Sequence, residues 1–237
     1  MKALIFAAGK GTRLKPFTDQ HPKALARVNG VPLLERNIRF LQSFGIQDFV
    51  INIHHFGEQI IDFLSANHHF GARISISDER DFLRETGGGL CFAKPFLIEE
   101  PHFLVMNADI LTDLNIQKLI DSHLASGKMV SLAVSDRESS RKLLFDESQT
   151  LCGWRNKNTG EERLVSLEYT LKELAFSGIH CMSNQIFSKI SRQGKFSIIE
   201  EYLDLMGERS IVGYEHQARL IDVGKPESIK KAEKYFL

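Results

Sequence analysis

Three cysteines in 237 residues, none in a Cys-x-x-Cys pair, exclude a disulfide framework and a zinc finger. Cys91, Cys152 and Cys181 read instead as buried thiols of a protein kept in a reducing compartment. Net charge is also missing: 30 Lys and Arg balance 30 Asp and Glu. A protein that coats nucleic acid carries a clear basic excess, so no nucleic-acid partner is expected, while a local basic site for a small anion stays open. Long apolar runs are absent too. Ala3–Ala8 and Phe103–Met106 are far short of the roughly 20 residues a bilayer requires, so no membrane partner is expected. The apolar stretch after Met1-Lys2 gives way at once to Gly9-Lys10-Gly11-Thr12-Arg13, which leaves no room for a secretion signal and favours the cytoplasm. There are no repeats, low-complexity tracts or linkers.

What is present suits an ordered chain: 43% hydrophobic and 25% charged residues exclude a disordered one. The length is about one and a half typical domains. Short apolar runs alternate with segments of helical period. Lys2–Ala8 reads as a strand buried on both faces, Pro32–Phe44 as a helix, Asp48–Ile53 as a strand, Glu58–Ala66 as a helix and Arg73–Ser77 as a strand. Gly88–Phe96 reads as a short helix and His102–Met106 as a strand. Asn115–Ala125 follows as a helix with Ile116, Leu119, Ile120, His123 and Leu124 on one face, and Val130–Val134 as a strand. This rhythm implies an α/β fold with a mostly parallel, doubly wound sheet and helices on both faces. In such sheets ligands bind beyond the carboxyl ends of the strands. From 135 to 180 the texture changes to short strands (Leu143–Phe145, Leu151–Trp154, Arg163–Glu168, Glu173–Ile179), an antiparallel excursion placed to cover a substrate. A helix at Ile198–Met206, a strand ending at Ile221-Asp222 and a helix at Pro226–Tyr235 close the chain. The expectation is one domain over 1–237 carrying that excursion, with no second catalytic domain after Asp222.

The loop after the first strand, Gly9-Lys10-Gly11-Thr12-Arg13, fits neither familiar phosphate fingerprint. Leu14 stands where a dinucleotide loop needs its third glycine, and Lys10 is followed by Gly11 where a Walker loop needs Ser or Thr. Two glycines still let the backbone turn tightly and bring a ligand against N–H groups. Arg13 offers a planar fork and Lys23 a compact charge, enough together to neutralise much of a triphosphate. The plain alternative is a surface turn carrying solvated cations. Asp109 and Asp222 each end a strand on the carboxyl edge, a suitable pair for Mg²⁺, which takes few carboxylates plus phosphate oxygens and water; capping of the following element is the alternative. Asp113 is expected only to help start the helix at Asn115. Thr86-Gly87-Gly88-Gly89 precedes a helix and could accept a flat base, or be a plain helix start. Asn107 could contact a ribose. His54-His55 and His68-His69 lack the spacing of a helical metal motif and are assigned to the surface or to capping. Trp154 near Tyr169 could line a sugar pocket, with a core aromatic the preferred reading.

Ala7-Ala8-Gly9-Lys10-Gly11-Thr12-Arg13-Leu14-Lys15-Pro16-Phe17-Thr18, followed by Pro22-Lys23-Ala24-Leu25, resembles the signature of the sugar-1-phosphate nucleotidyltransferases. The resemblance continues through Glu85–Gly89, Asn107-Ala108-Asp109, Phe176–Ile179 and Asp222-Val223-Gly224. It is strongest to the short branch that includes N-acetylmuramate-1-phosphate uridylyltransferase and mannose-1-phosphate guanylyltransferase-like proteins. It implies a three-layer, Rossmann-like nucleotidyltransferase fold, with a nucleoside triphosphate and a sugar 1-phosphate as partners and Mg²⁺ as cofactor. It assigns Ala7, Ala8, Gly9, Gly11, Thr12, Arg13, Lys23, Thr86, Gly87, Gly88 and Asn107 to the nucleotide, and Arg13 and Lys23 to catalysis. Asp109 and Asp222 go to the metal, and Ser177 and Gly178 to the sugar. Position 108 carries Ala where the related uridylyltransferases have Gly. A Glu-Lys-Pro motif of larger members is missing, with Leu171-Lys172-Glu173 the nearest run, so Lys172 is not assigned. The expected reaction is attack of a sugar 1-phosphate oxygen on the α-phosphorus of UTP or GTP, with loss of pyrophosphate. Two rivals stand beside it: a cytidylyltransferase for a non-sugar phosphate such as phosphocholine, and a non-catalytic nucleotide-sensing subunit.

Overall fold

A computed structural model of the chain describes residues 1–165 and 170–236. In chain order its elements are β1 (Lys2–Phe6), β2 (Arg27–Val28), β3 (Val31–Pro32), α1 (Leu33–Gln42), β4 (Asp48–Ile53), α2 (Gly57–Ala66), β5 (Arg73–Asp78), α3 (Glu85–Phe92) and α4 (Lys94–Leu97). Then come β6 (His102–Asn107), β7 (Ile110–Thr112), α5 (Ile116–Ser126), β8 (Val130–Ser135), β9 (Arg141–Phe145), β10 (Leu151–Asn156) and β11 (Glu162–Leu164). The last are β12 (Lys172–Ser183), α6 (Ile186–Lys189), α7 (Ile198–Leu205), β13 (Ile211–Glu215), β14 (Leu220–Asp222) and α8 (Pro226–Glu233).

Continuous apolar runs make strands covered on both sides, because successive side chains point to opposite faces. Ala3, Ile5, Phe49, Ile51, Leu104 and Met106 pack under α1, α2 and α5 through Leu34, Ile38, Leu41, Ile60, Leu64 and Leu119. Leu4, Val50, Phe103 and Val105 face the other way, onto Leu90 of α3, Leu97 of α4, Phe187 of α6 and Tyr202 of α7. The result is the expected three-layer α/β arrangement. Asn115 caps α5 by accepting from the Lys118 N–H at 3.0 Å, and Gly127 ends it in the left-handed region. Leu124 is half exposed, so the buried stripe of that helix stops at His123.

β1 lies between β4 and β6 in parallel, β5 continues beyond β4, and β13 runs parallel to β8. The sheet departs from a purely parallel one at β12, a twelve-residue strand antiparallel to β6, β8 and β9. The sequence splits this region into an excursion and a core. The structure joins them, since residues 172–174 pair with β9 and residues 179–183 with β6. Gly178, at φ +73°, and a register shift between Phe176 and His180 make the transition. Two further corrections concern boundaries. The expected final strand is two strands, β13 beside β8 and β14 beside β7. The strand expected at Arg163–Glu168 is β11 at Glu162–Leu164, and residues 166–169, Tyr169 among them, lie outside the described residues. Among the described residues no helix is long and apolar enough to cross a membrane. All three cysteines are free, with Cys152 and Cys181 buried and Cys91 half-buried.

Candidate active site

The parallel register sets Asn52, Phe6 and Asn107 side by side at the carboxyl edge, since Phe6 is opposite Asn52 of β4 and Asn107 of β6. The backbone leaving β1 is fixed there. Asn52 Oδ1 accepts from the Ala7 N–H at 2.6 Å and the Ala8 N–H at 3.3 Å. Its amide nitrogen in turn donates to Glu79 Oε1 at 2.9 Å. Glu79 is fully buried, and that burial raises its carboxyl above the ordinary range. Neither Asn52 nor Glu79 was singled out in the sequence. The available signal was a polar residue inside the apolar run Asp48–Ile53, where a buried amide must find partners.

Beyond Ala8 the loop closes on itself. Gly11 sits at φ +62°, and its carbonyl accepts from Thr18 Oγ1 at 2.9 Å and the Leu14 N–H at 2.8 Å. A β-carbon at Gly11 would lie 2.8 Å from Lys23 Cβ, so glycine serves both the turn and the passage of Lys23. Lys23 reaches Asp109 in a close ion pair and stands 4.0 Å from Asp222 Oδ1. Those carboxylates, 113 positions apart, are joined by the short ladder in which Asp222 faces Ile110 and the Val223 N–H donates to the Asp109 carbonyl at 2.8 Å. Desolvation, then the like charge of Asp109, raises the Asp222 carboxyl, while Lys23, Arg13 and Arg137 oppose the rise. Gly224 leaves room for the Arg13 guanidinium, whose Nη2 would be 2.9 Å from a β-carbon there. Among the described residues Arg13 has no side-chain hydrogen bond or ion pair. Ala7, Ala8, Gly9, Gly11, Thr12, Arg13, Lys23, Thr86, Asn107 and Asp109 all border one cavity of about 460 Å³.

The nucleotidyl transferase family model matches residues 2–237. The chain belongs to the nucleotidyl transferase family. It is 30% identical over 243 residues to an N-acetylmuramate alpha-1-phosphate uridylyltransferase of Neisseria meningitidis serogroup B, covering 98% of this chain and 97% of that one. It is 27% identical over 233 residues to mannose-1-phosphate guanyltransferase beta-B of Xenopus laevis, covering 96% of this chain and 62% of the relative. In fold it is similar to HddC from Yersinia pseudotuberculosis complexed with GMP-PN, with a TM-score of 0.79, 23% identity and coverage of 100% and 99%. Both branches suggested by the sequence motifs are thus among the relatives of this nucleotidyltransferase.

The enzyme does not gather every residue expected of its site. Gly87 and Gly88 do not precede a helix; they lie inside α3, buried, and both N–H groups point to the Phe196 carbonyl. A β-carbon on Gly87 would lie 2.3 Å from the Phe196 ring, and one on Gly88 2.1 Å from the Gly194 carbonyl, so these glycines serve close packing of α3 on the 194–196 segment. Thr86 does border the cavity, while its Oγ1 accepts from the Ile198 N–H at 3.0 Å. Ser177 is fully buried, its Oγ 2.9 Å from His216 Nε2, so it faces the interior where a sugar contact was expected. Gly178 is buried too, and a β-carbon there would lie 2.8 Å from Ile110 Cγ1 and 3.0 Å from Asn107 Nδ2. Lys172 is engaged by Glu215 at 2.6 Å. Asp113 leaves the capping of α5 to Asn115 and instead accepts from the Arg219 N–H at 2.7 Å.

A second cavity of about 440 Å³ lies between the β9–β12 strands and the start of α7. Ser197 borders both cavities. Trp154 packs on the core with one part and lines this cavity with another, beside Phe176, Arg141 and Arg163. Arg163 is held by Asp204 at 2.8 Å.

Proposed function

We propose that the enzyme transfers a nucleotidyl group from a nucleoside triphosphate to a sugar 1-phosphate, releasing pyrophosphate. The observation that carries this reading is the convergence of Lys23 and Arg13 on the Asp109–Asp222 pair at the mouth of the loop after β1. Uridylyl transfer to N-acetylmuramate 1-phosphate and guanylyl transfer to mannose 1-phosphate are the leading pairs, supported by the names of two relatives. The first cavity takes the triphosphate. The second, reached past Ser197, takes the sugar, with β9–β12 as its cover.

Two carboxylates with no softer donor beside them among the described residues form a set that suits Mg²⁺, and the pairing of the Lys23 ammonium with them supports a place for a cation there. Asp109 and Asp222 would hold the ion, which when bound would neutralise phosphate charge and align the reacting oxygens. The chain's own groups act by position and charge. Arg13 and Lys23 stabilise the charge that spreads over the α-phosphate and the leaving pyrophosphate. The attacking oxygen belongs to the sugar phosphate, already ionised at neutral pH, so neither a general base nor a covalent enzyme intermediate is required.

Pyrophosphate release across four triphosphates and a panel of sugar 1-phosphates, with phosphocholine as one arm, tests this reading. The expected result is turnover of one sugar 1-phosphate with UTP or GTP, abolished by EDTA and restored by Mg²⁺. Release with phosphocholine and CTP alone would replace the sugar. Triphosphate-induced thermal stabilisation without release from any acceptor would leave a nucleotide sensor.

A further inference from the structure

Arg137, in the connection from β8 to β9, carries a guanidinium that has no carboxylate at ion-pair distance among the described residues. It is half-buried. Its Nη2 donates to the Phe176 carbonyl at 2.8 Å, and Nη1 reaches the Glu138 carbonyl at a long 3.4 Å. Its Nε is buried without a partner among the described residues. Guanidinium has five N–H donors, so most of this one's capacity is unused. A half-buried cation bonded only to neutral carbonyls keeps donors to spare, and an incoming anion would supply both the missing charge and the missing acceptors. The arginine is also held in place from behind: the buried Lys142 ammonium donates to the Arg137 carbonyl at 2.7 Å.

Its position says which anion. Among the described residues the carboxylate whose charge acts on Arg137 is Asp222, and Asp222 lies in the field of Arg13 and Arg137 together. Arg13 arrives from the loop after β1, and Arg137 from the connection that leads into β9, a strand of the second cavity's wall. Two residues further along the same connection Ser139 lines that cavity, as do Arg141 at the start of β9 and Phe176, whose carbonyl holds Arg137. A ligand seated there with its phosphate turned to the acid pair would meet Arg137 at its phosphate end.

We propose that Arg137 is the clamp for the acceptor's phosphate, the group that attacks, and that it takes no part in holding the triphosphate. This rests on the transfer reaction proposed above. The test uses the full-length enzyme, its best sugar 1-phosphate and triphosphate, and the variants Arg137→Ala and Arg137→Lys. Arg137→Ala should raise KM for the sugar 1-phosphate by about 10- to 100-fold, the worth of a charged hydrogen bond, with KM for the triphosphate within about twofold. Arg137→Lys should recover part of the loss, since lysine restores the charge without the fork. As competitive inhibitors, the free sugar should bind wild type and both variants alike, and a non-hydrolysable 1-phosphonate of that sugar should bind Arg137→Ala about 10-fold more weakly. An unchanged acceptor KM, or both KM values rising together, overturns the clamp. If Arg137→Ala does not fold, Arg137→Lys is read by the same split in KM and the same inhibitor pair. Absence of pyrophosphate release by the wild type from any acceptor defeats the underlying reaction instead, and is told apart by that control alone.

Discussion

The wall of the cleft that follows β1 is built largely from backbone, whereas the wall that follows β8 is built from side chains. On the first, three parallel strands in fixed register bring Ala7, Ala8 and Gly11 to one edge, with Asn52 holding the N–H groups of the two alanines. On the second, the antiparallel strands β9, β10 and β12, from one stretch of the chain, carry Arg141, Trp154 and Phe176 around an open volume, with Arg137 beside it. Backbone can follow a chain of phosphates common to every triphosphate, but it has no means of telling one sugar from another. Side chains on paired strands can be exchanged without disturbing the ladder, so on the function proposed above acceptor choice would change on the second wall while the first stays constant.

The strongest attempt to break that division is Lys23→Ala. The lysine joins the loop after β1 to both carboxylates, so its loss should cost turnover two to three decades, the scale for a preorganised charge-stabilising donor. The fall should be in kcat, with the acceptor KM little changed. Steady-state kinetics against each substrate decide it. A variant that keeps its turnover and loses only acceptor affinity would move Lys23 to the other wall.

Acid should separate the walls next. Three buried histidines cluster around β8 and β12. His123 bonds Ser131 at 2.9 Å and is depressed by burial to about 4; His180 bonds the Tyr202 hydroxyl at 2.8 Å and is depressed to about 3; His216, against Ser177, is also lowered by burial. Each is neutral in the fold, so below the ordinary value of about 6.5 the unfolded chain binds more protons. Their stabilisation is complete above that pH and is lost as the pH falls towards the folded values. For His123 the loss between pH 6.5 and 5 is on the order of 2 kcal/mol. Glu79 beneath the opposite wall has the reverse sign: its raised carboxyl makes acid relieve a cost. Native-state hydrogen exchange at pH 7 and pH 5, corrected for intrinsic rates, should show β8 and β12 losing protection while β1 and β4 keep theirs. Equal loss in both would show that the sheet opens as one unit and that the histidines do not act locally.

The same division explains what was legible in the sequence. Gly11, Arg13 and Lys23 stand within one local segment whose turn needs glycine and whose cations flank it, so short-range spacing suffices to find them. Asp109 and Asp222 were reachable because each closes an apolar run. Asn52 and Glu79 were missed because a buried amide and carboxyl show their purpose only when the strands are paired. Gly87 and Gly88 misled, since three glycines look like a bare helix start open to a base until the 194–196 segment is seen to require their bareness. The course of β12 was hidden for a related reason: its first residues pair with β9 and its last with β6, and no periodicity records a change of neighbour.

Ser177 gives the smallest and sharpest test, because sequence and structure assign it to different sides of its strand. The bulge around Gly178 shifts the register of β12 and turns the Ser177 hydroxyl inward to His216. His216 Nδ1 accepts from the Ala218 N–H at 3.1 Å, so its proton is on Nε2 and is donated to Ser177 Oγ. Ser177→Ala removes that acceptor and leaves a buried N–H without a partner, which should lower stability by about 1–3 kcal/mol. Denaturant unfolding measures the loss, and the acceptor KM should stay within about twofold. An acceptor KM that rises tenfold with stability unchanged would return Ser177 to the sugar, and would mean that β12 presents its other face to the cleft.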